Sequence, residues 1–377
     1  MALALVVAAA LGVGIGLATT GSSRSSHRPV RHAGTRATTP ARTTTAQRTA
    51  RANPKPDLRR LVGQLVVGRY LGRQPSASFL ARVRAGQLGS VILFGDNTAA
   101  GLQATRHAIA DLQAAARHGG NPPLLIMTDQ EGGEVRRLPG PPELAAAAMG
   151  STTAAHAQGV AAGRLLRSVG VNVDLAPVAD VERAANSFLG TRSFGSSPAV
   201  VAARACAFAR GLRSAGVAYT LKHFPGLGWA DASTDVQQVR LPVPAAELRT
   251  DYAAYHTCGS SPDALIMISS AIYPSLTKSA PAVTSHEIYA RELPIALGQS
   301  RELTISDALD TPALAGQKTP ALRAIDAGLD LALFSGNERE SALAYKQLLS
   351  AARSGVLPQI RLRSAAYAVE ALKRRLR

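Results

Sequence analysis

The sequence predicts an α/β protein of the TIM (β/α)8-barrel type. Eight short apolar runs recur along the chain, and each pair of them is separated by a stretch with helical spacing. The runs are residues 64–67, 90–94, 124–128, 171–177, 217–221, 264–269, 303–306 and 330–334. Between them, stretches such as 104–115, 154–169 and 198–215 place apolar residues three and four apart, the period of an amphipathic helix. An open doubly wound sheet has the same local rhythm. No Gly-x-Gly-x-x-Gly follows the first run, however, and eight strands close more naturally into a barrel. Residues 364–376 carry Ala365, Ala368, Val369 and Leu372 on one face and finish on basic residues, which predicts a last helix packed on the barrel.

Three divisions are expected: residues 1–20, 21–57 and a single catalytic domain over 58–377. Residues 2–19 form an unbroken apolar run, long enough for a signal-peptide core and at the lower limit for a membrane span. Residues 21–56 hold eight Arg or Lys and no Asp or Glu among Ser, Thr and Pro, so this part cannot bury enough apolar surface to fold. It is expected to be a disordered basic tether, suited to an anionic membrane or wall surface. By the positive-inside rule those arginines favour a cytoplasmic tail. Export, either cleaved or anchored, is nevertheless the expectation. The net charge of +17 is partly local to this tether. Aromatic residues make up 4% of the chain and show no stacking motif, which argues against nucleic acid as a partner. Cys206 and Cys258 have neither metal nor redox spacing; an exported protein could pair them in one disulfide, but two unpaired buried thiols are expected. No metal or organic cofactor is implied, and a monomer is expected.

Active sites of TIM barrels lie at the C-terminal ends of the strands. Four of the predicted strands end in polar clusters. The fifth runs into Lys222-His223-Phe224-Pro225-Gly226-Leu227-Gly228. The third ends in Asp129-Gln130-Glu131-Gly132-Gly133, whose paired glycines allow a turn that brings Asp129 and Arg137 over the mouth. Past the fourth, Gly190-Thr191-Arg192-Ser193-Phe194-Gly195 offers a planar donor fork with an aromatic wall. An ion pair from Arg192 to Asp180 is the plainer alternative. The seventh gives Ser306-Asp307-Ala308-Leu309, a carboxylate expected to lie among Lys222, Arg137 and Arg192 and to be held ionised by them.

Taken in order, these strings resemble family-3 glycoside hydrolases, in particular the single-domain β-N-acetylhexosaminidase-like branch, over about residues 58–377. The resemblance implies a retaining glycosidase acting on terminal N-acetylglucosaminides of wall origin. Asp307 would be the nucleophile, and Asp129, Arg137, Arg192, Lys222 and His223 would hold the sugar. The family's acid/base is a His in an Asp-Ser-His triplet on the loop after the fifth strand. Here Ser233-Thr234-Asp235 stands in those places, and no His occurs between His223 and His256. Asp235 is therefore the expected acid/base, its carboxyl raised by apolar neighbours such as Trp229 and by Asp307. Asp231 is the competing candidate. A noncatalytic sugar- or peptidoglycan-binding protein and a β-glucosidase of the same family are the alternative readings.

Overall fold

In the computed structural model, residues 57–298 and 300–376 are described. The segments 1–20 and 21–56 assigned above to leader and tether lie outside them. Asp57, placed at the tether's end, instead caps the first helix, Leu58–Gln64, by accepting the Arg59 N–H.

Eight parallel strands form the barrel: β1 (Val66–Gly68), β2 (Ser90–Leu93), β3 (Leu125–Thr128), β4 (Val173–Asp174), β5 (Ala218–Phe224), β6 (Ala264–Ile268), β7 (Leu303–Ser306) and β8 (Ala332–Leu333). Each pairs with its sequence neighbour, and β8 returns to β1 through Val66↔Ala332 and Val67↔Leu333. A bridge between Ile305 and Leu331 joins β7 to the last strand and completes the ring.

The strands read as continuous apolar runs because both faces are buried, and their alternation sorts the side chains between two cores. Val67, Ile92, Leu125, Met127, Leu265, Met267, Ile305 and Leu331 fill the barrel interior. Val66, Val91, Ile126, Leu221 and Ile266 point outward under the helices. The helical stretches Leu102–His118, Thr152–Val169 and Pro198–Ser214 appear where the periodicity put them.

The last helix, Gln359–Arg375, does more than lie on the barrel. Val369 and Leu372 join the interior cluster. Next to them the buried Lys373 Nζ donates to Gln64 Oε1 at 2.6 Å and to the Gly89 carbonyl at 2.7 Å. Both partners lie just ahead of β1 and β2, so this helix stops the N-terminal end of the barrel. Burial brings the Lys373 amine down to about 7, with Glu370 opposing weakly.

Cys206 and Cys258 form a disulfide, contrary to the expected pair of free thiols. Cys206 lies inside Pro198–Ser214 and Cys258 ends the helix Ala253–Cys258; the two helices pack together and bring the Cα atoms to 5.7 Å. The 52-residue separation concealed this contact, since sequence distance carries no information about which helices pack. Among the described residues no helix is long and apolar enough to cross a membrane.

Candidate active site

The C-terminal ends of the strands open into a cleft of about 530 Å³, which Asp129, Arg137, Arg192, Lys222, His223, Asp235 and Asp307 all line. Asp231 does not line it.

After β3, residues Gln130–Gly132 and Val135–Arg136 pair as a small antiparallel hairpin. Gly132 turns it at a φ of 105°, and a Cβ there would meet the Leu144 carbonyl oxygen at 2.2 Å, so no other residue fits. The buried Gln130 amide fastens the returning arm: its Oε1 accepts the N–H groups of Arg137 and Leu138, and its Nε2 donates to the carbonyls of Leu138 and Pro141. Arg137 is thereby folded back beside Asp129, with Nε 3.9 Å from Oδ2. The paired glycines do what the sequence implied.

On β5, Lys222 is buried and its Nζ reaches Asp129 Oδ1 at 2.7 Å and Glu131 Oε1 at 2.6 Å. Glu131 also takes the guanidinium fork of Arg192 at 2.8 and 2.9 Å. Burial alone would raise the Glu131 carboxyl, but Lys222 and Arg192 outweigh it and hold the group at about 2. For Lys222 and Arg192 desolvation works against the charge, and their carboxylate partners more than compensate, raising both. Glu131 is thus the hub of the cationic side of the cleft. Sequence reading passed over it as part of a string, although a carboxylate two residues after Asp129 in a hairpin shares its face.

Asp180, offered above as the plain partner for Arg192, is instead committed to His223. Its Oδ1 accepts the backbone N–H groups of His223 and Leu227, and its Oδ2 lies 2.7 Å from His223 Nδ1. A carboxylate only accepts, so Nδ1 carries the proton and Nε2 is left for the cleft. Two further expectations need correction. Phe194 is buried in the outer core and does not line the cleft; the aromatic wall is Phe94, at the end of β2, with Arg69 4.4 Å and Arg137 5.4 Å from its ring centre. Nor does a cation sit directly on Asp307. Among the described residues Lys222, Arg137 and Arg192 pair with Asp129 and Glu131, and no ion pair reaches Asp307.

Asp307, just past β7, is held by hydrogen bonds. Its Oδ1 accepts the Ala308 N–H at 2.8 Å and its Oδ2 accepts the Thr234 hydroxyl at 3.1 Å. Thr234 belongs to the loop between β5 and β6, which also brings Asp235 into the cleft. Asp235 is exposed at the rim, yet desolvation of its carboxyl and the charge of Asp307 raise it above the ordinary range, with His223 opposing. Trp229 does not line the cleft, and its indole N–H points to Asp251, 3.3 Å away. Asp174, at the end of β4, is another residue the sequence did not single out. Fully buried, it accepts the Gln130 N–H at 3.0 Å, and burial lifts its carboxyl to about 8 against the pull of that bond and of Lys222.

Residues 57–372 match the glycosyl hydrolase family 3 N-terminal domain. The chain belongs to glycoside hydrolase family 3. It is 33% identical over 333 residues to an uncharacterized secreted glycosyl hydrolase of Arthroderma benhamiae, covering 85% of this chain and 94% of the relative. To the beta-hexosaminidase LpqI of Mycobacterium tuberculosis it is 32% identical, covering 79% of this chain and 78% of that protein. The solved structure of LpqI superposes with a TM-score of 0.75 over 84% of this chain and 93% of that one. A family 3 beta-N-acetylglucosaminidase from Paenibacillus sp. superposes with a TM-score of 0.78 at 28% identity, over 85% of this chain; the family-3 hydrolase described here spans 62% of that longer chain. The eight-stranded barrel and the family together make this chain a glycoside hydrolase, as its motifs implied.

Proposed function

We propose that this family-3 hydrolase cleaves terminal N-acetylglucosaminides by a retaining, two-step mechanism. The observation that carries the reading is the meeting of Asp307 and Asp235 in one cleft with five sugar-binding candidates, one carboxyl held by hydrogen bonds and the other raised by desolvation and by its neighbour's charge. A carboxyl raised enough to hold a proton beside a second carboxyl free to attack is what a retaining glycosidase needs. In the first step an Asp307 oxygen attacks the anomeric carbon while Asp235 gives its proton to the departing oxygen, so that the glycosidic bond breaks and a glycosyl ester forms. In the second, Asp235, now a carboxylate, takes a proton from water, the hydroxide attacks the anomeric carbon, and Asp307 leaves as the free carboxylate.

Asp129, Arg137, Arg192, Lys222 and His223 would hold the sugar hydroxyls. Lys222 spends two N–H groups on Asp129 and Glu131, leaving one to donate, and His223 presents Nε2. The N-acetylglucosaminide class is supported by the names of the M. tuberculosis and Paenibacillus relatives. An exported enzyme would meet wall-derived substrates, and export is supported by the secreted Arthroderma relative and by the Cys206–Cys258 disulfide, which persists in an oxidising compartment. The test is hydrolysis of paired chromogenic N-acetylglucosaminide and glucoside substrates. Preference for the first supports the proposal, preference for the glucoside replaces it with the β-glucosidase reading, and binding without turnover makes the protein a sugar-binding one.

A further inference from the structure

The loop that carries Asp235 is pinned at both ends and held by one side chain in the middle. At its start Gly228 lies so close to the 181–184 segment that a Cβ would meet the Val181 carbonyl oxygen at 1.7 Å, and its own carbonyl accepts the N–H groups of Arg183 and Ala184. At its return Val239 and Leu241 are buried and bond the backbone of Ile272. Between these anchors, from Asp231 to Gln238, Thr234 alone is buried. Its hydroxyl makes, among the described residues, the one side-chain hydrogen bond from this tip to the barrel, and that bond ends on Asp307. The tip is otherwise tied only to itself, by Ser233 Oγ accepting the Asp235 N–H and the Ser233 carbonyl accepting those of Val236 and Gln237.

We propose that Thr234 is the positioning residue that sets the acid/base loop in register with the nucleophile, acting on both carboxyl groups through a single hydroxyl. This rests on the roles proposed above for Asp307 and Asp235. The tip bearing Asp235 buries only Thr234 and has no other side-chain bond to the barrel among the described residues, so it needs an attraction to keep it down. The Thr234 donor supplies it, because a hydrogen bond to a charged acceptor is stronger than one between neutral groups. The same bond, with that of the Ala308 N–H, fixes the carboxylate plane of Asp307 for attack. The neighbouring Asp235 is carried into the cleft by the turn that Thr234 anchors.

The test compares Thr234→Val, which keeps the shape and removes the donor, with Thr234→Ser, which restores it. Thr234→Val is expected to lower kcat by about 10- to 100-fold, the range for losing a hydrogen bond to a charged group, with KM changed far less. The fall should occur on activated aryl glycosides as well as on substrates with poor leaving groups, since the nucleophile and not only the acid is disturbed. Thr234→Ser should recover most of the loss. Thr234→Ala, read in parallel with melting temperatures, covers the case in which the valine variant does not fold. A Thr234→Val enzyme with wild-type kcat, or a loss that serine does not rescue, overturns the inference. An Asp307→Asn enzyme that still turns over overturns the underlying reading of the site instead, and with it this inference, so the two failures are distinguishable.

Discussion

Each oxygen of Asp307 accepts one hydrogen bond, from Thr234 and from Ala308, and each cation of the cleft is bonded elsewhere. Asp307→Asn preserves the shape and removes the nucleophile. Hydrolysis should fall by several orders of magnitude while sugar binding, measured by calorimetry, persists. Asp235→Ala should cost about 10²- to 10⁴-fold on poor leaving groups and less on activated aryl glycosides, which leave unprotonated, and added azide should recover part of the turnover. Asp231→Ala should leave both substrate classes unchanged, since Asp231 does not line the cleft. The pH dependence follows from the direction of the Asp235 shift. The first step needs its protonated form, and the raised carboxyl keeps that form to higher pH than an ordinary aspartate. As pH climbs through the raised value, kcat/KM should decline, and Asp235→Ala assayed on an activated substrate should lose that basic limb. A profile unchanged by the substitution would remove Asp235 from the acid role.

At the scale of elements, strands and helices were legible because burial writes a period into the sequence. β4 and β8 are shorter than read: residues 171–177 and 330–334 each read as one run, but regular pairing is limited to Val173–Asp174 and Ala332–Leu333, and Gln64, read as the start of the first strand, ends the first helix. Residues that converge on the cleft could be nominated from strand ends. Their pairings could not, because which carboxylate takes which cation depends on how the loops after β3, β4 and β5 cross. Arg192 therefore pairs with Glu131 and not Asp180, Asp180 goes to His223, and Phe94 took the place of Phe194. The disulfide was hidden for the same reason. By the chain-entropy account it should contribute about 2–4 kcal/mol, and the Cys206→Ser, Cys258→Ser double variant should melt correspondingly lower while keeping its kcat on the activated substrate. An equal melting temperature would mean that the packed helices hold without it.

For the whole molecule, every side chain assigned a part in catalysis or sugar binding falls between Asp129 and Asp307. A fragment beginning at Asp57, which caps the first helix, should fold and retain turnover, as judged by circular dichroism and kcat. Aggregation or a large loss of melting temperature would show that residues 1–56 pack on the barrel. The helix Gln359–Arg375 bears on a different matter, the order in which the chain can fold. Its Lys373 is bonded to Gln64 across 309 residues, and Val369 and Leu372 fill space that the strands leave open. Contacts so distant in sequence come late and slowly. Until that helix has emerged, β1 and β2 have an unsealed floor, and the nascent barrel exposes its interior to water or to whatever chaperone meets it first.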